Sequence, residues 1–357
     1  MEKASSMQNH EKAGYRIMPF VEEFIPTDAG DVPMIRTELT YGDILSNINV
    51  RLNIKRDDYK IASGLYAVGR PSKDSPVVVT ANYKLSFDHL RKALYGRTAW
   101  ILILDTLGVN VWCAAGKGTF GTNELKRQIG LTGIEKVVGH RKLILPQLAA
   151  TGVSAVSLKK QTGFEVIWGP VRTEDLGLFL DNDMNADKKM RQVTFGLIDR
   201  LVVIPVEASL ALKPAFYILA ALFILSGISP DIFSFKIAID RWPLSFAAVL
   251  MGIFAGTVLT PVLLPFVYGN AFAMKGLITG FAAGLPVALF WGSREGAQGM
   301  IALMLITVSI SSYLAMNFTG TTPFTSPSGV EKEMRIGIPL QVSAVILAII
   351  LWIIAAF

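Results

Sequence analysis

The chain is short of cysteine, histidine and charge, and each shortage excludes something. A single Cys in 357 residues cannot build a disulfide framework, a thiolate zinc site or an iron–sulfur cluster from this chain alone. Charged residues make up 17% against 52% hydrophobic, where a soluble domain carries about a quarter charged. A chain this apolar is not disordered. The net charge of +6 is mild, and no nucleic-acid partner is expected. The opening MEKASSMQNHEKAGYR lacks an apolar core, so no cleaved signal peptide is expected.

The shortage of charge is local. Residues 1–214 hold 28 Lys/Arg and 23 Asp/Glu, which leaves 34 − 28 = 6 basic and 28 − 23 = 5 acidic residues for the remaining 143. Five apolar runs follow at roughly 214–229, 244–268, 271–291, 299–318 and 336–356, against the ~20 residues of a spanning helix. The first is short, and borrowing Leu210–Leu212 with Lys213 snorkelling would complete it. Gly252, Gly256, Gly280 and Gly284 are spaced for close helix approach. Lys275, the one charge well inside a run, lies near enough to an end to snorkel. The expected division is 1–60, an irregular segment packed on the soluble domain; 61–207, a cytoplasmic domain; and 208–357, an all-α five-helix transmembrane domain.

Lys188, Lys189, Arg191, Arg200 and Lys213 precede the first run, and Lys332 and Arg335 the last. By the positive-inside rule the soluble part is cytoplasmic and Phe357 outside, in an inner (cytoplasmic) membrane protein contacting lipid as an anchor.

From about residue 76 strands and helices alternate. Strands are expected at 76–80, 99–105, 135–139, 154–158 and 164–168, with helices at 85–95, 123–129, 146–151 and 173–180. This predicts an α/β domain with a largely parallel sheet. Ligands of such sheets sit beyond the strands' carboxyl ends, so the loops of interest are 80–84, 105–122, 139–142, 151–153 and 168–172.

The loop DTLGVNVWCAAGKGTFGTNEL (105–125) is the most informative. It fails as a phosphate loop, because Val111 stands where the first Gly is needed and Gly118 where Ser/Thr is needed. Gly116, Gly118 and Gly121 spell G-x-G-x-x-G, but too far from the strand for a dinucleotide turn. Asn110 is a good N-cap for one helical turn, Val111–Ala115, ended by Gly116. Cys113 is then at the third position, where free N–H groups favour a thiolate. Ala114 and Ala115 leave room for a large flat ligand. The plainer reading is a small buried hydrophobe.

NVWCAAGKG (110–118) resembles the signature of the corrinoid protein of microbial mercury methylation, and the layout of a cytoplasmic domain and five spans is similar to that family's. VTANYKLSFDHLR (79–91), GHRKLILPQLAATGV (139–153), GPVRTEDLGLFLDN (169–182) and MRQVTFGLIDRLVVIPVE (190–207) resemble the corrinoid domain of the acetyl-CoA pathway's corrinoid iron–sulfur protein. The resemblance covers about 40–207. It implies a cobalamin-type corrinoid on a cap helix, Asn110–Lys117, with Cys113 as the lower axial ligand of cobalt and the catalytic residue. Trp112 and Val111 would pack the helix down, and Asn110, Ala114, Ala115, Gly116, Lys117 and Gly118 complete the motif. Thr80, Asn82, Tyr83, Gly139, His140, Gly152, Val153, Gly169, Pro170, Val171 and Arg172 would surround the cofactor.

The implied activity is corrinoid-dependent methyl transfer to Hg(II), giving methylmercury. Mercuric ion is an electrophile, so it needs a carbanion or radical equivalent, which an electron-rich thiolate favours. Carbanion transfer costs the cobalt two electrons, and this chain has no cysteines for a cluster to return them. A ferredoxin-like [4Fe-4S] protein is therefore the implied reductant, and a methyl donor protein or folate-dependent methyltransferase the implied source. Two other readings stay open: a membrane-anchored corrinoid methyl carrier of one-carbon and acetyl-CoA metabolism, and a transporter with a nucleotide-binding regulatory domain.

Overall fold

The computed structural model describes residues 17–318 and 327–357; the N-terminal stretch read for a signal peptide lies outside them. One compact unit comprises the segment up to Val50 with Ile54–Val193, and a second comprises Arg51–Asn53 with Thr194–Phe357.

The first unit is built on a seven-stranded sheet. Its strands are β1 (Val21–Thr27), β2 (Gly30–Ile35), β3 (Gly64–Val68), β4 (Val77–Ala81), β5 (Ala99–Leu104), β6 (Lys142–Leu145) and β7 (Glu165–Trp168), in the order β1-β2-β3-β5-β4-β6-β7. Strands β5, β4, β6 and β7 are mutually parallel, β2 and β3 are parallel, and β1–β2 and β3–β5 are antiparallel. VVVTA and AWILIL are buried at every position, as continuous apolar strands of a sheet covered on both faces must be. Val77, Val79, Ala81, Leu102 and Leu104 face one core; Val78, Ile101 and Ile103 face the other.

The helices of this unit are α1 (Tyr41–Arg51), α2 (Lys84–Ala93), α3 (Val111–Lys117), α4 (Thr122–Thr132), α5 (Ile134–Val137), α6 (Ala155–Thr162) and α7 (Leu176–Asp181). Two expected strands are helices. At 135–139, Gly133 turns the chain at φ 59 into α5, whose Ile134 and Val137 bury together, and β6 takes the place beside β4. At 154–158, the Ser154 hydroxyl caps α6 by accepting from Ser157 N at 3.3 Å, and Gly163 ends it at φ 77. Expected helix 146–151 is a single 3-10 stretch, Gln147–Thr151. The segment 1–60, irregular as a pattern, supplies β1, β2 and α1.

The second unit holds five helices long and apolar enough to cross a membrane: Leu197–Ser226, Phe235–Leu263, Phe272–Phe290, Gly296–Phe318 and Gly329–Ile354. We number them α8 to α12. The first begins far earlier than the apolar run, carrying Pro205 and Pro214 inside it. The fourth, α11, is the packing centre, and the glycines are its contact faces. A Cβ on Gly252 would sit 2.9 Å from Thr307 O, and one on Gly276 2.6 Å from Ser311 O. Hydroxyls fill the same seam: Thr260 and Thr279 are 2.6 Å apart, and Ser311 donates to Gly276 O at 2.7 Å. Small residues with interhelical hydrogen bonds are how helices associate where burial from water supplies no drive.

Three basic residues of this unit donate to backbone carbonyls. Arg200 donates to Pro261 O and Val262 O, each at 2.8 Å, where α9 passes through a π-turn at Ala255–Leu259. Lys275, expected to snorkel, donates to Leu264 O and Val267 O instead, because the carbonyls ending α9 need a donor. Arg241 pairs with Glu295 at 2.6 Å, donates to Trp352 O at 2.7 Å and lies over the Trp352 ring.

Packing against α11 makes Gly276→Val the sensitive substitution. It is expected to lower the stability of the full chain in detergent by about 2 kcal/mol or more through overpacking. Gly130→Ala, on an exposed turn of α4 with nothing within 4 Å of the added Cβ, should raise it slightly, by about 0.5 kcal/mol. Thermal unfolding of the two variants compares the signs.

Candidate functional site

The parallel strands β5-β4-β6-β7 end on one edge, and the segments leaving that edge are 82–84, 105–118, 146–153 and 169–172. Asn82 organises the first two. Its side chain is buried and donates to Asp105 Oδ1 at 3.0 Å; its Oδ1 accepts from Thr106 N at 3.1 Å, Thr106 Oγ1 at 2.9 Å and Gly108 N at 2.9 Å. Four bonds from one amide hold the turn after β5. Glu124 of α4 accepts from Asp105 N at 2.8 Å. Burial disfavours the Glu124 charge, but bonds from Arg127, Gln128 and Asp105 N outweigh it and hold the carboxyl below its ordinary range.

That turn contains Leu107 at φ 58, 67% exposed. A bulky residue in the left-handed region is strained, and an apolar one left in water there is informative. The chain then enters α3. Asn110 Oδ1 accepts from Cys113 N at 3.0 Å, a side-chain N-cap. Val111, Ala114 and Ala115 face the core while Trp112, Cys113, Gly116 and Lys117 face outward. The helix runs past Gly116, which stays helical, and stops at Gly118, φ 81. The expectation that Trp112 packs the helix down is corrected. The inward stripe is Val111, Ala114 and Ala115, and Trp112 is 39% exposed. Cys113 is exposed, so the buried-hydrophobe reading fails.

Below α3 lies Gly152. A Cβ there would meet Phe120 O at 2.3 Å and Ala115 O at 2.9 Å, so only glycine lets the helix sit this close. Val153, its neighbour, is buried in the core. Gly169 donates to Leu145 O at 2.8 Å, Pro170 O accepts from Gln147 N at 3.5 Å, and Val171 N donates to Met190 O at 2.8 Å. Arg172 follows on the same loop. Tyr83 is buried with its ring edge-on to Tyr59 at 6.2 Å, and Thr80 is buried inside β4.

Gly139 and His140 do not join this edge. Gly139 N donates to Lys73 O at 2.8 Å, and His140 Nε2 lies 3.0 Å from Ser75 O. Lys73 and Ser75 precede β4, so the pair lies at the amino end of the strands. The cause is the corrected secondary structure: with 134–137 helical, 139–140 enters β6 rather than leaving a strand.

A buried charge network beside the edge has no sequence motif. Lys84, at the start of α2, is 3.0 Å from Asp43 and 2.6 Å from Asp88; Arg91 is 2.8 Å from Asp88 and 2.9 Å from Asp43. Arg91 also donates to Arg36 O and Glu38 O, each at 2.9 Å. Burial opposes the Asp43 charge, yet bonds from Thr40, Lys84 and Arg91 hold its carboxyl well below the usual carboxylate range. The one signal available in sequence was the i, i+4 and i, i+3 spacing of Lys84, Asp88 and Arg91.

With this geometry in hand, comparison with known proteins is informative. Residues 22–180 match the family described as CO dehydrogenase/acetyl-CoA synthase delta subunit, starting earlier than the resemblance read from the motifs because β1 and β2 belong to the domain. The chain is 33% identical over 147 residues to the acetyl-CoA decarbonylase/synthase complex subunit gamma of Archaeoglobus fulgidus, covering 40% of this chain and 31% of that protein. It is 32% identical over 139 residues to the same subunit of Methanocaldococcus jannaschii, 38% of this chain and 28% of that one. The chain thus spans under a third of the relatives' length.

Two outcomes follow. Asn110→Ala should cost about 1 kcal/mol of local stability and raise amide exchange over 111–117 about fivefold, measured by hydrogen exchange. Asp43→Asn should destabilise the full chain by about 2 kcal/mol or more at pH 7. A carboxyl whose native value is depressed contributes fully above the unfolded value near 4 and loses that contribution as pH falls below it. The variant and parent should therefore converge in thermal stability on acidification.

Proposed function

We propose that this protein is a membrane-anchored corrinoid methyl carrier in which Cys113 would hold the cobalt. The observation that carries the reading is the outward-facing thiol on a capped helix at the carboxyl edge of the parallel strands. The residues suit a large flat ligand. No heavy atom lies within 4 Å of a Cβ placed on Gly116, one turn on from Cys113, and exposed apolar Leu107 and Trp112 flank the thiol in the chain. A corrinoid held there supplies a cobalt centre that accepts and gives up a methyl group. The chain's own contributions are distinct. Cys113 presents a soft, electron-rich donor; Asn110 fixes the helix start; Asn82 fixes the loop before it; Gly152 sets the helix depth. The similarity to acetyl-CoA decarbonylase/synthase subunits supports a methyl-carrying domain that works with protein partners, and the five apolar helices support the anchor.

Within that class, we assign Hg(II) as the acceptor. NVWCAAGKG supports it, because a thiolate such as that of Cys113, holding the cobalt, would favour delivery of the methyl group to an electrophile. Delivery of a carbanion equivalent withdraws two electrons per turnover, and with one cysteine the chain holds no cluster to replace them. The reading therefore includes a separate [4Fe-4S] ferredoxin-like reductant and a methyl-donor protein or folate-dependent methyltransferase. Carriage of methyl groups in one-carbon and acetyl-CoA metabolism rests on the same site, differs only in acceptor, and is the reading that the similarity to acetyl-CoA decarbonylase/synthase subunits supports better. A nucleotide-regulated transporter gains no support, since the glycine-rich segment forms a helix and its C-cap rather than a phosphate loop.

The purified full chain is expected to be coloured by a bound corrinoid and, once methylated and reduced, to give methylmercury from Hg(II). Cys113→Ala should lower that product at least about tenfold, an energetic loss of 1.4 kcal/mol or more at the barrier. A colourless preparation that cannot be reconstituted with cobalamin sinks the corrinoid reading. Methyl transfer to acetyl-CoA synthase but not to Hg(II) keeps the carrier and removes mercury.

A further inference from the structure

Helix α1 is inside out. Its inward positions are polar: Asp43 meets Lys84 and Arg91, the Ser46 hydroxyl is 2.7 Å from Tyr59 OH, and Tyr59 OH donates to Asn47 Oδ1 at 2.7 Å. Val50 is its one buried residue. Its outward positions are apolar and in solvent: Tyr41 80%, Ile44 47%, Leu45 46% and Ile48 48% exposed, continuing into Leu52 43% and Ile54 51%. Positions 41, 44, 45, 48 and 52 make one helical stripe. A soluble helix puts that stripe on the core, and here the network with α2 holds it outward. Exposed Lys55 and Lys60 follow directly, with Arg56, Asp57, Asp58 and Tyr59 between them.

We propose that α1 is an interfacial helix, its apolar stripe immersed in the headgroup–acyl boundary of an anionic bilayer. The chain supplies the bilayer itself through five spanning helices, so the surface is present at high effective concentration. Tyr41 opening the stripe suits a membrane interface, and behind it Lys55, Arg56 and Lys60 outnumber Asp57 and Asp58, a net charge of 3 − 2 = +1. The proposal does not depend on which cofactor or acceptor the site takes.

The test uses the full chain in liposomes of phosphatidylcholine and phosphatidylserine. On a Cys113→Ala background, Ile48→Cys is labelled with a nitrobenzoxadiazole fluorophore. The same label on Val156→Cys, an exposed position on α6, is the comparison. Doxyl-labelled lipid should quench the label at 48 about twofold more than that at 156, while aqueous iodide does the reverse. Iodide quenching at both positions without doxyl quenching means that the stripe faces water, and overturns the proposal. Protection at 48 from both quenchers means that protein covers it, whether a partner or a second copy, and overturns it equally.

Discussion

The side-chain amide of Asn82 is the interaction on which the candidate site depends. It stands at the end of β4, yet three of its four bonds reach Thr106 and Gly108 after β5, and the fourth reaches Asp105. Loss of the amide takes away the acceptor of Thr106 N and Gly108 N, while Thr106 Oγ1 keeps Val109 O and Asp105 Oδ1 keeps Leu107 N. The turn that the amide holds has Leu107 and Gly108 both at positive φ, which suits the glycine and opposes the leucine. The cap helix begins two residues later, so the direction in which Cys113 points descends from an amide on another strand.

The helix then separates its residues by face. Val111, Ala114 and Ala115 are buried at i, i+3 and i+4, and Gly152 admits them at backbone distance from Ala115. That leaves Trp112, Cys113, Gly116 and Lys117 outward. A short helix with one apolar stripe has little stability of its own; the Asn110 cap and the close approach to Gly152 hold it where a thiol can meet a ligand. The spanning helices use the same device, with Gly252, Gly256, Gly276, Gly280 and Gly284 each allowing α11 within a Cβ's distance.

Several parts of this structure were legible in the sequence because a strong local pattern carried them. The runs VVVTA and AWILIL are β-branched or apolar throughout, and strands appear there. The Asn-x-x-Cys start and nearby glycines located the cap helix within a residue or two. Where patterns were short, the reading went astray. EKVVG and SAVSL are too short to show a period and suggest strands only by their apolar residues, but Gly133, Ser154 and Gly163 set helical turns there. That error carried Gly139 and His140 to the wrong edge. The segment 1–60 shows no clear period because the hairpin β1–β2 is only partly buried along its length and α1 carries its apolar face outward.

Composition, spacing and motif by themselves determined the division into an α/β unit and five apolar helices, and singled out Cys113. These depend on local periodicity and on residue types, which a sequence displays directly. Tertiary structure alone decided that Trp112 faces outward and that Asn82 governs the loop before the cap helix. It also decided that Lys84, Asp88, Arg91 and Asp43 form one buried network. Each of these depends on which distant strand or helix occupies the neighbouring place. The free energy of burying or pairing a side chain belongs to that neighbour as much as to the residue itself.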